Sequence, residues 1–289
     1  MFTNLSAGAI GIRGASLPET LDLARSAGFE GVDFSIGEAA RLVDERGLEP
    51  VCGLFRSAGV RPGSWGLPVD WRGDEAKYQE GLRELPRLAA LGVALGCNRT
   101  ATWMLSWSDE RPFAENFEWH VARFRPIARI LDEQGCRFGI EFLGPKTLRA
   151  GKRYEFVHTL DGLLELARAI GTGNVGLLLD AWHLYTSGGT AEDVRSLTSA
   201  DVVTVHVNDA PAGVPIDEQV DNVRCLPMET GVIDLPGFLS ALASIGYDGP
   251  VTPEPFSRRV NALPPQEAAR VTAEAMRRAW RAAGLGQQT

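Results

Sequence analysis

The sequence predicts a single (β/α)8 (TIM) barrel, and three observations lead there. Short apolar or β-branched runs alternate with longer amphipathic stretches from end to end, eight of each, the pattern of parallel strands joined by helices. The runs Val175–Leu179 and Val202–Val207 are apolar nearly throughout, as strands covered on both faces are. The chain has 289 residues, close to the typical barrel length of about 250, and no linker-like composition divides it. One domain spanning 1–289 is therefore expected, with a loosely held tail from about residue 284. An open doubly wound sheet is the competing arrangement. It calls for a glycine-rich phosphate loop after the first strand, and Gly8-Ala9-Ile10-Gly11-Ile12-Arg13-Gly14 lacks the G-x-G-x-x-G spacing.

The elements follow in order. A first strand is expected near Ala9–Arg13, then a helix over Leu17–Ala27 that ends at Gly28, where a left-handed cap suits glycine. A strand at Gly31–Ser35 and a helix at Glu38–Arg46 come next, followed by a strand at Val60–Trp65, a helix at Asp74–Leu91 and a strand at Cys97–Met104. The helix over Ala114–Glu133 rests on Phe117, Val121, Phe124, Ile127, Ala128 and Leu131, whose spacing of three and four lays down one apolar stripe. It stops at Gly135, before a strand over Arg137–Phe142. Then come helix Leu160–Ile170, strand Val175–Asp180, helix Thr190–Leu197 and strand Val202–Val207. The helix over Leu235–Ile245 ends at Gly246, and strand Gly249–Pro253 and a helix over Pro265–Ala282 complete the count.

Composition narrows the function. With 29 basic and 37 acidic side chains the formal net charge is -8, and a nucleic-acid binder needs the opposite, a basic stripe to neutralise phosphate. No apolar run approaches the roughly 18 residues of a membrane span, and Met1-Phe2-Thr3-Asn4-Leu5 has neither the basic nor the apolar region of a secretion signal. Cys52, Cys97, Cys136 and Cys225 are widely spaced and read as reduced core residues. A cytoplasmic protein is expected, with no nucleic-acid or membrane partner.

In a parallel barrel, functional side chains project from the C-terminal strand ends. The last four strands each close in a residue able to bind a metal: Glu141 in Gly-Ile-Glu-Phe, Asp180 in Leu-Leu-Leu-Asp, His206 in Val-His-Val-Asn-Asp, and Glu254 in Thr-Pro-Glu-Pro. Taken singly, such an acid is as readily a helix cap. Together they lie on neighbouring strands about 4.8 Å apart, and three carboxylates buried in one volume repel unless a cation sits among them. Three oxygen donors and one imidazole suit one divalent ion, Mn2+ best, with Co2+, Mg2+ and Zn2+ as competitors. Trp65, Trp103, Trp107, Trp182 and Phe256 fall at or just past strand ends, where aromatic faces suit the C–H faces of a sugar or cyclitol. Lys146 follows Glu141 by five residues and is one of only three lysines, so it is a candidate to reach over the site.

These motifs, with His183 in Leu-Asp-Ala-Trp-His, resemble the xylose isomerase-like TIM barrels, the sugar phosphate isomerase/epimerase superfamily. That family includes D-tagatose 3-epimerase-type enzymes, hydroxypyruvate isomerases and inosose dehydratases. The resemblance implies that Glu141, Asp180, His206 and Glu254 are the metal ligands. It further implies that His183 touches a substrate oxygen, and that Arg224 is the family's arginine that follows the seventh strand and reaches the substrate. After that arginine the epimerases carry a Pro-Gly-x-Gly-like turn, whereas this chain has Leu226-Pro227-Met228-Glu229-Thr230-Gly231. The implied activity is a metal-dependent sugar isomerase or epimerase. The metal holds a carbonyl and an adjacent hydroxyl oxygen, and Glu141 and Glu254 remove and return the proton of an enediolate. An inosose-dehydratase-type lyase shares that first step. A non-catalytic sugar-binding barrel would not need both glutamates, and an endonuclease IV-like nuclease would use more than the four histidines present. Family members are often dimers or tetramers, which leaves a homo-oligomer open.

Overall fold

A computed structural model gives the architecture and describes residues 1–286. The end of the expected tail, residues 287–289, lies outside the described residues. Eight parallel strands close into a barrel: β1 (Phe2–Leu5), β2 (Gly31–Phe34), β3 (Arg61–Gly66), β4 (Arg99–Trp103), β5 (Arg137–Glu141), β6 (Val175–Asp180), β7 (Val202–Val207) and β8 (Pro250–Pro253). Each strand pairs with its sequence neighbours, and β8 returns to β1. The expected strands reappear except the first, Val175–Asp180 and Val202–Val207 with the expected ends and the others shifted by one or two residues. The run near Ala9–Arg13 is not a strand: Gly8–Ile10 is a short 3-10 helix, and Phe2–Leu5 pairs with β2 and β8 instead. The physical reason is Asn4. It is fully buried, and its amide donates to Asp33 Oδ1 at 2.7 Å and to Thr252 Oγ1 at 2.9 Å. A polar side chain committed to the barrel interior interrupts the apolar pattern of that strand.

The helices form the outer layer and bury their apolar stripes on the strands. Leu17–Ala27 starts with a reciprocal Ser16–Glu19 capping box and ends on the left-handed Gly28. Leu160–Ile170 begins where the Thr159 hydroxyl accepts from Gly162 N and ends on the left-handed Gly171. Three short helices, Lys146–Arg149, Ala181–Thr186 and Arg258–Asn261, lie outside the expected set, as does the longer Leu48–Ala58. Its Pro50 sits in the first turn, where backbone N–H groups have no helical partner and proline costs little.

The N-terminal end of the barrel is tied by two arginines. Arg99 of β4 donates to Val203 O of β7 at 2.9 Å and pairs with Asp248 at 2.6 Å. Arg137 of β5 donates to the carbonyls of Ser199, Ala200 and Val202. At the opposite end, a two-stranded ribbon of Trp107–Ser108 and Tyr154–Glu155 joins the loops after β4 and β5. Among the described residues no helix is long and apolar enough to cross a membrane.

Candidate metal centre and active site

Each donor of the expected cluster is placed by its own strand. Glu141 ends β5, Asp180 ends β6, His206 is the penultimate residue of β7, and Glu254 follows β8 with its N–H held by Val207 O at 2.9 Å. Register sets the level, because His206 pairs with Asp180 on one side and Thr252 on the other. The four donor atoms lie within 4.8 Å of one another. His206 Nδ1 is 3.3 Å from Glu254 Oε2, 3.8 Å from Glu141 Oε1 and 4.0 Å from Asp180 Oδ2.

The donor set fits a divalent cation. Glu141 Oε1 and His206 Nδ1 are both buried and have no hydrogen-bond partner, the His206–Glu254 contact lacking the alignment of one. Buried polar atoms are almost always satisfied, and an ion among the four donors satisfies both at once.

Without an ion, the protein balances this charge itself. Burial, reinforced by the Glu254 carboxylate, raises the Glu141 carboxyl well above the usual range. Burial opposes the charged form of His206, but the Glu254, Glu141 and Asp180 carboxylates overcome it and push the imidazole up to about 10. Burial would also raise Asp180, yet the Arg224 guanidinium beside it pulls the acid below its ordinary value. Ligation needs neutral imidazole and ionised carboxylates, so metal uptake displaces protons.

Arg224 is the resident counter-charge. Nη1 lies 2.8 Å from Asp180 Oδ2 and 3.0 Å from Glu254 Oε2, while Nη2 lies 2.7 Å from Asp221 Oδ1. The guanidinium is flanked by Trp182 and Phe256, its carbon 5.3 and 4.9 Å from the ring centres. Phe256 adopts a left-handed φ of 39°, a backbone state that costs an aromatic residue energy and is held by its surroundings. The loop that delivers Arg224 is fixed by Asp209. This fully buried carboxylate accepts from the N–H groups of Ala210, Thr230, Gly231 and Ile233, and its backbone pairs with Cys225. The segment 226–231 thus turns on a side-chain anchor where the epimerases carry glycines.

His183 lies one turn beyond Asp180, on the short helix Ala181–Thr186 that Asp180 itself caps through Trp182 N at 2.6 Å. Burial lowers its pKa to about 4, so the ring is neutral at pH 7. Gly144 N donates to Nδ1 at 3.2 Å. A backbone N–H can only donate, so the proton of the neutral ring belongs on Nε2. Nε2 is 3.1 Å from Arg224 Nη2 and 3.9 Å from Glu141 Oε1. Two donors therefore face each other beside the cluster, and an oxygen seated between them would accept from both.

The other sequence candidates are placed as follows. Trp103 pairs in register with Glu141 and is 45% exposed, at the barrel mouth. Lys146 forms an exposed ion pair with Asp217 at 2.6 Å. Trp65 is core, its Nε1 donating to Cys97 O, and Trp107 belongs to the ribbon beside the mouth. Sequence reasoning assigned no role to Asn208, whose amide donates to Asp180 Oδ1 at 3.2 Å and Oδ2 at 3.4 Å. Nor did it assign one to Asp209 or Asp221. Their positions just past β7 and three residues before Arg224 were the available signal.

A closed parallel barrel with a carboxylate–imidazole cluster at its C-terminal rim defines a (β/α)8 protein with a divalent-metal type of donor set. The chain belongs to the xylose isomerase-like TIM barrel family, whose sequence pattern matches residues 21–279. An inosose isomerase of Bacillus velezensis is 22% identical over 266 residues, covering 91% of either chain. A 3-dehydroshikimate dehydratase of Pseudomonas aeruginosa is 27% identical over 264 residues, which cover 86% of this chain and 37% of that one. Among solved structures, a xylose isomerase domain protein from Alicyclobacillus acidocaldarius superposes with a TM-score of 0.86 at 30% identity, covering 98% of this chain and 99% of the other. The IOLI protein with a bound zinc atom superposes at 0.78 with 20% identity over 99% of this chain and 100% of that one. A D-psicose 3-epimerase solved in the presence of D-fructose gives 0.73 at 16% identity over 98% and 100%. The last two likenesses show the shared fold.

Proposed function

We propose that the chain is a divalent-metal-dependent isomerase or epimerase that moves a proton at the carbon next to the carbonyl of a keto sugar or keto-cyclitol. The observation that carries the reading is the set Glu141, Asp180, His206 and Glu254, with two of its donor atoms buried and unpartnered. The relatives named as inosose isomerase and as D-psicose 3-epimerase support the reaction class, and the zinc in the IOLI structure supports a divalent ion here. An ion held by the four residues supplies a Lewis acid for the substrate carbonyl.

The chain's own groups do the rest. Glu141 is the more buried carboxylate and Glu254 the more open one, with side chains 9% and 17% exposed. They are the base and acid that take and return the α-proton. His183 Nε2 and Arg224 Nη2 both donate to a substrate oxygen as charge builds on it. Trp103 covers an apolar face of the ring. Lys146, held by Asp217 in an exposed ion pair, is given no step in this reading. Loss of a β-hydroxyl after the same first step would make the protein a lyase, and the dehydratase relative favours that second reading.

The test is deuterium exchange from solvent into a panel of ketoses and inososes, with products scanned for loss of water. Exchange that needs added metal and falls in both Glu141→Gln and Glu254→Gln supports the assignment. Full exchange rates in both variants would overturn the two-carboxylate mechanism. Activity unchanged by exhaustive chelation would overturn the metal.

A further inference from the structure

Among the loops that follow β3 and β4 and the start of the helix Phe113–Glu133 lies a cavity of about 410 Å³, within the size range of small-molecule sites. It is lined by the indoles of Trp71, Trp107 and Trp119, by Asn116 and His120 of the helix Phe113–Glu133, and by Arg72. None of these six belongs to the metal cluster.

The polar groups are built in and unmatched. Asn116 and His120 are each only 4% exposed. Among the described residues the Asn116 amide has no hydrogen-bond partner, and His120 bonds through Nδ1 alone, 2.7 Å from Asn116 O. That carbonyl can only accept, so Nδ1 carries the hydrogen and Nε2 is a bare acceptor on the cavity wall. Burial keeps the ring neutral, with its pKa lowered to about 4.

Charge at the rim is also uneven. Asp109 is taken by Lys152 at 3.5 Å and by Arg153 N at 3.1 Å, and Glu110 by Arg111 at 3.3 Å. Arg72 stacks on Trp71 and Trp103, its guanidinium carbon 4.2 and 3.8 Å from the ring centres, and donates to Trp103 O. It has no carboxylate within ion-pair distance among the described residues; burial weighs against its charge, and the more distant Asp70 carboxylate partly offsets that. Arg72 is an exposed guanidinium at the cavity rim, free to take the anionic group of a ligand.

The indoles each carry a cation on one face: Arg72 on Trp71, Lys152 on Trp107 at 3.6 Å and Arg111 on Trp119 at 4.8 Å. With one bare imidazole acceptor and one free amide they specify complementary chemistry, an anionic ring with a hydroxyl. We infer that this cavity binds a hydroxylated ring carboxylate: the ring between the indoles, the carboxylate on Arg72, and a hydroxyl donating to His120 Nε2 with Asn116 alongside. Because Arg72 also packs on Trp103, which is level with Glu141 on the neighbouring strand, the site adjoins the catalytic mouth across a single indole.

The test is calorimetric titration of the full chain in chelator with two probes, 4-hydroxybenzoate for an aromatic acid and D-glucuronate for a sugar acid. Saturable one-to-one binding of either is expected, the tighter probe assigning the source. Phenol, which lacks the carboxylate, is expected to bind at least about tenfold more weakly than 4-hydroxybenzoate. Arg72→Met is expected to weaken the acid by a similar factor while metal binding, which reports an intact fold, stays unchanged. Asn116→Leu provides an independent loss. No saturable heat with either acid, equal affinity for phenol, or undiminished binding in Arg72→Met would each overturn the assignment. Chelator keeps this outcome separate from the metal-site reading, which stands or falls on exchange activity.

Discussion

Replacing Arg224 with methionine is expected to destabilise the metal-free protein far more than the metal-loaded one. Arg224 meets Asp180, Glu254 and Asp221 at 2.8, 3.0 and 2.7 Å, with its own side chain 1% exposed. At an effective dielectric constant of about 20, each contact is worth on the order of 4 kcal/mol before desolvation. Desolvating the guanidinium takes back several kcal/mol, and removing one partner of a buried pair costs about 3–5 kcal/mol in practice. That range is the expected loss in chelator. A bound divalent ion would compensate Asp180 and Glu254 but not Asp221, so the loss with metal should shrink to roughly half. Urea unfolding followed by tryptophan fluorescence, with and without metal, measures both numbers, and Arg224→Lys, which keeps the charge, should fall between. If Arg224→Met in chelator lies within about 1 kcal/mol of the parent, or if metal does not narrow the gap, the reading of Arg224 as resident counter-charge is wrong.

Two further outcomes follow from other contacts. Asn208→Ala removes the amide that steadies both Asp180 oxygens and is expected to weaken divalent-metal affinity about 10–100-fold, as losses behind a ligand do; competition with a chromogenic chelator measures it, and an unchanged affinity refutes the role. His120 should make stability depend on pH. Its folded pKa is lowered to about 4 from an ordinary 6.5, so between those values the unfolded chain binds the proton and the folded one does not. The stability from this group is whole above about pH 6.5 and falls as pH drops, by about 2 kcal/mol at pH 5. Buried His183, its pKa likewise lowered to about 4, adds its own fall. His120→Gln should therefore make the loss of stability between pH 7 and pH 5 smaller by about 2 kcal/mol, read from urea unfolding at the two pH values; an equal fall in the variant would refute it.

The barrel was legible because its period is carried by long helical stripes and by strands such as β6 and β7, apolar on both faces. The first strand was not, because Asn4 makes its inward bonds with a polar side chain while the nearby Ala9-Ile10 pair is apolar but packs as a 3-10 turn. The helix Leu48–Ala58 hid behind Gly47 and Pro50, residues that mark loops in sequence and here stand at a helix start. The four cluster residues could be read from strand ends because strand ends converge in space. Asn208, Asp209 and Asp221 act through contacts with other loops, and no periodicity reports a loop's partner. Lys146 drew notice by its rarity, which says nothing about where a side chain points.

The four cluster donors come from β5, β6, β7 and β8, in that order, and from nowhere else. Half of the barrel's circumference therefore supplies the four donors, while the loops rising from β1 to β4 supply none. Those loops can be shortened, exchanged or rebuilt around a different molecule without disturbing any of the four donors. Under the proposed function the chain is a fixed reaction head joined to a replaceable grip, and grafting the β3 and β4 loops of one relative onto another should transfer preference for a molecule while leaving the chemistry where it was.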